Sequence, residues 1–119
     1  MTRRLVDASN VIGSKPDGWW RDREGATRRL LDALRESGEE AVVVLDAGPE
    51  EWAARDGLLE VVIAPRRGRD AADDEIVRLL SARPGPWSVV TSDAGLAARA
   101  RALGASVEGA GAFRRRLGF

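Results

Sequence analysis

Short continuous apolar runs alternate along this chain with stretches in which apolar residues return every three or four positions. The runs predict strands buried on both faces, and the spaced stretches predict amphipathic helices. Leu5-Val6, closed by Asp7, predicts a first strand over residues 4–7. A loop rich in Gly, Pro and Trp follows over 13–22. Ala26, Leu30 and Leu34 recur every four residues and predict a helix over 23–37, stopped by Gly38. Ala41-Val42-Val43-Val44-Leu45 predicts a second strand. Pro49 suits the first turn of a short helix over 49–55, and a third strand is expected over 58–64. A basic loop over 65–69 leads to a helix over 71–82, with Asp70 as its N-cap. Pro84-Gly85-Pro86 breaks the chain before a fourth strand at 88–91. A third helix over 94–103 carries Leu96, Ala100 and Leu103 on one face and ends at Gly104. A short strand at 106–108 and a terminal helical turn with Phe113 and Leu117 complete the pattern. Strand and helix alternate without a linker or repeat, which predicts one α/β domain with a parallel sheet and helices on both faces.

Against that pattern, four aspartates stand out. Asp7, Asp46 and Asp93 each follow a predicted strand, and Asp73 opens the 71–82 helix. In an open parallel sheet the carboxyl ends of the strands converge on one rim, where ligands bind. Carboxylates gathered there repel one another unless protons or cations intervene. The matching guest is a hard divalent cation with oxygen ligands, Mg²⁺ or Mn²⁺. On a wheel of about 100° per residue, Asp73 falls inside the apolar stripe formed by Ala72, Ile76, Val77, Leu79 and Leu80. A charge facing the core is costly unless it is paired or ligates a metal. Asp74 lies outside the stripe, is expected to pair with Arg78 four residues on, and is the second candidate ligand. Each aspartate also has a plainer explanation. Asp73 complements the helix dipole; Asp93 or Ser92 caps the third helix; Asp46 caps the helix at Pro49. No helix is expected to begin after Asp7, so capping does not account for it.

Composition narrows the chemistry. The chain has 119 residues and contains no Cys and no His. Thiolate catalysis, disulfides, a His general base, a Ser-His-Asp triad and a His-ligated zinc site are therefore excluded. The absence of cysteine fits a cytoplasmic location. No apolar run approaches the ~18 residues of a membrane span, and no signal peptide is expected at the N-terminus. Lys15 is the single lysine, and the remaining charged side chains are Asp, Glu and Arg. Net charge is +0, which argues against a general nucleic-acid coat protein. The basic residues nevertheless cluster at Arg66-Arg67-Gly68-Arg69 and at Arg114-Arg115-Arg116, and local patches bind phosphate at zero net charge. The second cluster reads first as a solvated tail helix.

Short polar residues beside the acids, Asn10 and Ser92, are expected to orient ligands from behind, whereas Ser9 reads equally well as a turn former. Trp19 and Trp20 lie in the long loop on the presumed rim. They either stack on unpaired bases or plug the core next to the first helix.

The segments Leu5-Val6-Asp7-Ala8-Ser9-Asn10-Val11-Ile12-Gly13-Ser14, Trp19-Trp20-Arg21-Asp22-Arg23, Val43-Val44-Leu45-Asp46, Ala72-Asp73-Asp74-Glu75-Ile76, Val89-Val90-Thr91-Ser92-Asp93 and Leu103-Gly104-Ala105, in this order and spacing, resemble an NYN domain of the PIN-like nuclease superfamily, YacP-like branch. The resemblance covers nearly the whole chain. It implies a three-layer α/β/α, Rossmann-like fold with a mainly parallel sheet and an acidic metal site. It also implies Mg²⁺- or Mn²⁺-dependent ribonuclease activity and, in this branch, ribosome association. The family's catalytic acids match Asp7, Asp46, Asp73 and Asp93. The metal would be held by Asp7, Asp73, Asp74 and Asp93, with Asn10 and Ser92 behind them. RNA contacts would fall to Lys15, Trp19, Trp20, Arg66, Arg67 and Arg69. The chain departs from the family's common pattern at Ala8, Ala47 and Ala94; the last removes an arginine that could contact phosphate.

The expected function is thus endoribonucleolytic hydrolysis of RNA phosphodiesters. Two other functions fit parts of the sequence. A catalytically inert RNA- or ribosome-binding module would tolerate the alanines but gains nothing from four carboxylates. A receiver-type signalling domain would use Asp46 as phosphoacceptor, but the paired acids after strand one and the lysine after the last strand are missing. An exposed Trp pair or the third helix could support a homodimer.

Overall fold

The computed structural model of the chain describes residues 2–65, 68 and 70–119. Six strands form one sheet in the order β3-β4-β2-β1-β5-β6. They are β1 (Arg3–Asp7), β2 (Ala41–Leu45), β3 (Ala54–Asp56), β4 (Leu59–Ile63), β5 (Trp87–Val90) and β6 (Ser106–Glu108). All neighbours pair in parallel except β3, which runs antiparallel to β4 at one edge. Among the described residues the α-helices are α1 (Ala8–Gly13), α2 (Arg23–Ser37), α3 (Ala71–Ala82), α4 (Ala94–Ala102) and α5 (Ala110–Leu117).

Because side chains alternate along a strand, the central strands feed two cores. Val6, Val43, Leu45 and Val90 pack with α1, α2 and α5, around Leu30, Leu34 and Phe113. Leu5, Val42, Val44 and Val89 pack with α3 and α4, around Ile76, Leu79 and Leu96. The result is the expected three-layer α/β/α sandwich with a mainly parallel sheet. Burying each of these large side chains stabilises the fold by about 1.5–3 kcal/mol.

β2, α2 and α3 occupy the spans read from periodicity. Asp22 caps α2 by accepting from the Gly25 N–H at 2.9 Å, and Gly38 ends it at φ 68°, a conformation that costs glycine little. Four expectations change. A helix does begin after Asp7: Ala8, Val11 and Ile12, spaced i, i+3 and i+4, bury one face of α1. The helix expected near Pro49 is only a 3₁₀ turn, Glu50–Trp52, and it delivers the chain into the edge strand β3, whose residues are all exposed. Leu103 lies beyond α4 and is exposed; Ala97 takes its place on the buried face. The C-terminal turn is a full helix, α5, and its Arg114 is buried rather than solvated.

Chain direction reverses at β1. From β1 the chain moves outward through β2 to β4, then crosses back to β5 on the other side of β1. The carboxyl ends of β1 and β5 therefore flank a topological switch point, where open α/β sheets bind ligands.

Candidate active site at the switch point

Asp7 closes β1 at this point and is 3% exposed. Thr91, the first residue after β5, donates its hydroxyl to Asp7 Oδ2 at 3.2 Å. Ser9 donates to Asp7 Oδ1 at 3.3 Å. Burial pushes the Asp7 carboxyl up to about 6, and the Asp73 carboxylate pushes in the same direction; the bonds from Thr91 and Ser9 only partly offset this. A buried acid lacking a cationic partner behaves in this way.

Asp73 sits half-buried in the first turn of α3. Its pKa is also raised, first by burial and then by the carboxylates of Asp93, Asp70 and Asp74, with Arg99 opposing them. Asp7, Asp73 and Asp93 thus form a line of mutually repelling acids across the carboxyl ends of β1 and β5 and the start of α3. Asp93 is exposed and does cap α4, accepting from the Leu96 N–H at 2.9 Å. Asp74 is exposed and pairs with Arg99 at 3.5 Å rather than with Arg78. Arg78 is taken by Glu75, three residues before it, through two bonds of 2.6 and 2.9 Å. Asp70 stands at the N-cap position of α3 without a side-chain capping bond.

The supporting residues act differently from expectation. Asn10 Oδ1 accepts the Ser92 N–H at 2.7 Å, and Ser92 Oγ accepts the Ala110 N–H at 2.8 Å. Together they tie α1, the loop after β5 and the start of α5 to one another, behind Asp93. The residue that contacts two acids at once is Thr91, which the sequence reading passed over. Besides donating to Asp7, its Oγ1 accepts the Asp93 N–H at 3.1 Å. A buried hydroxyl closing an apolar strand, two residues before an aspartate, was the available signal.

Asp46, the residue after β2, is exposed and lines a cavity with Ser9, Trp19 and Arg23. Lys15 is exposed in the loop before the tryptophans. Trp19 is half-buried and packs on the α2 side of the core, while Trp20 is 50% exposed. Their rings meet edge to face, with centroids 5.8 Å apart. One tryptophan therefore plugs the core and the other faces solvent. Arg66, Arg67 and Arg69 lie outside the described residues. Arg114 anchors this loop from below: it donates to the Ile12 carbonyl at 3.0 Å and to Asp17 at 2.6 Å.

Among the described residues, no three acidic side chains are gathered closely enough to enclose a metal ion. A Mg²⁺ site does not need such an enclosure, since the ion keeps several waters and commonly takes one or two carboxylates plus substrate phosphate. The donors are all hard oxygens, and the raised pKa values of Asp7 and Asp73 mark a deficit of positive charge that a divalent cation would relieve. The residues present fit that group.

Among the described residues, no helix is long and apolar enough to cross a membrane. No family model matches the chain, and no curated protein sequence does. Solved structures do match. The crystal structure of a tryptophan-to-leucine mutant of Rae1 (YacP) from Bacillus subtilis is similar with a TM-score of 0.77 and 26% identity, covering 98% of this chain and 75% of that one. A second crystal structure of Rae1 from Bacillus subtilis gives a TM-score of 0.72 at 24% identity, over 98% and 74% of the two chains.

Proposed function

From the fold that this chain shares with the YacP-like branch of the NYN domains, we propose that it is a metal-dependent endoribonuclease whose site is the acid line at the switch point. The observation that carries the proposal is Asp7: a buried carboxyl at the end of the central strand, held by Thr91 and pushed up by burial and by Asp73. One or two of Asp7, Asp73 and Asp93 would hold Mg²⁺ or Mn²⁺ directly and the others through water, with Asp74 at the margin. When bound, such an ion neutralises phosphate charge and acidifies water.

The chain's own residues supply the rest. Thr91 fixes the Asp7 carboxylate and the turn carrying Asp93, so two carboxylates keep a constant relation. The Asn10–Ser92 bond holds α1 and the loop after β5 at one spacing. Trp20, half in solvent, would stack on an unpaired base, and Lys15, exposed in the loop before it, would supply a cation. Arg66, Arg67 and Arg69 precede α3 and would meet flanking phosphates. A ribosome-bound RNA is the substrate that the resemblance to the YacP-like branch suggests.

The test is cleavage of a labelled single-stranded RNA with Mn²⁺, beside EDTA and an Asp7→Asn, Asp93→Asn double variant. Metal-dependent cleavage lost in the double variant supports the proposal. RNA bound but uncut favours an inert binding module, a second reading that draws support from the open spacing of the acids.

A further inference from the structure

Next to the acid line lies a cavity of about 270 Å³ between α1, the start of α2 and the end of β2. Ile12 and Leu45 give it an apolar floor, Trp19 gives it an aromatic wall, and Thr27, Arg23 and Asp46 supply polar groups. The Arg23 guanidinium lies 5.4 Å from the Trp19 ring centroid. Ser9 both lines the cavity and donates to Asp7, so the cavity is continuous with the proposed site. Its volume lies below the roughly 300–1,000 Å³ of pockets for drug-sized ligands, which suits a single heterocycle.

We propose that this cavity holds one guanine base of the RNA and makes the chain guanine-selective, an inference that rests on the nuclease reading above. The apolar floor and the indole accept the flat faces of a base. The edge is read by the two charged residues. A carboxylate such as Asp46 accepts N–H donors, and guanine alone among the four bases presents two adjacent ones, at N1 and N2. A guanidinium such as Arg23 donates to O6 and N7, the pairing most often used to select guanine. Uracil fits worst, because its one N–H is flanked by two carbonyl oxygens that would face the Asp46 carboxylate.

The test is heteronuclear NMR of the whole chain in EDTA, titrated with guanosine or uridine 5′-monophosphate while the Trp19 indole and the Thr27 and Leu45 methyl signals are followed. The expected result is movement of these signals with GMP at an affinity at least about tenfold above that for UMP. Asp46→Ala should bring GMP down to the UMP level. Thr27→Phe, which fills the cavity, should abolish both titrations. If Thr27→Phe does not fold, the surface variant Asp46→Ala decides alone. Equal affinity for the two nucleotides, or shifts confined to residues outside the cavity, overturns the inference. RNA cleavage without a GMP preference would overturn it while leaving the nuclease reading intact. A GMP preference in a protein that never cleaves RNA would defeat the nuclease reading and uphold the base site.

Discussion

Thr91 Oγ1 joins Asp7 to Asp93: it donates to the Asp7 carboxylate at 3.2 Å and accepts the Asp93 N–H at 3.1 Å. Thr91→Val keeps the shape of the side chain and removes both bonds. The variant should lose about 1–3 kcal/mol of stability, the cost of leaving a buried polar group unpaired, measured by urea unfolding. It should also raise the Asp7 pKa above its present value, because the Thr91 bond lowers it. A carboxyl-carbon NMR titration checks this; an unchanged midpoint would remove Thr91 from the site.

Asp7 itself should oppose folding at neutral pH. Its folded pKa of about 6 lies above the ordinary 3.8, so the folded state holds the proton more tightly than the unfolded state. Its contribution to stability is present below pH 3.8 and is lost as pH rises to about 6. The shift is equivalent to about 3 kcal/mol. Asp7→Asn should therefore raise the melting temperature at pH 7 and change it little at pH 4, while abolishing metal-dependent activity. Such a gain is expected where an active site is built at the expense of stability.

If Asp7, Asp73 and Asp93 hold a cation, Mn²⁺ should raise the melting temperature of the native chain at pH 7 and lose that effect below pH 6. The Asp7→Asn, Asp93→Asn variant should melt at the same temperature with and without Mn²⁺. Calorimetry with and without EDTA makes the comparison; equal stabilisation of both proteins would place the ion elsewhere.

Arg114 and Arg115 are sequence neighbours with opposite surroundings. Arg114→Ala would strand the Ile12 carbonyl that its guanidinium now satisfies at 3.0 Å, at about 1–3 kcal/mol for a buried group left unpaired; the Val11 carbonyl keeps its bonds from Ser14. It would also release Asp17 and the loop that carries the tryptophans. Arg115 is exposed, and Arg115→Ala should fall within about 0.5 kcal/mol of the native chain. Chemical denaturation of the two variants distinguishes an anchoring arginine from a solvated one.

Trp20→Ala should leave stability nearly unchanged, since the ring is half in solvent, and weaken single-stranded RNA binding by about 1–3 kcal/mol. Trp19→Ala should cost stability as well, because Trp19 packs against the core. Filter binding read beside thermal melting separates the two effects.

Elements that were long and periodic, or continuously apolar, were legible from residue order alone: α2, α3 and β2 have the expected bounds. α1 escaped because six residues are too few for a period to show, and β3 because an exposed edge strand has no apolar alternation to read. The pairing of Asp74 was misread because a helix wheel ranks neighbours on one helix, whereas Asp74 pairs across to Arg99 on α4. Strand ends located the acids but not the order of the strands. It is the order β2-β1-β5 that sets Asp7 beside Thr91.

The loop after β5 is joined to the end of β1 and to α1 by bonds between residues 84 and 82 positions apart, Thr91 to Asp7 and Ser92 to Asn10. Contacts of such long sequence separation form late, after the costliest loop closure. A nascent chain that has not yet delivered β5 from the ribosome therefore carries Asp7 without the Thr91 hydroxyl. The line of acids is complete only once synthesis has passed Asp93.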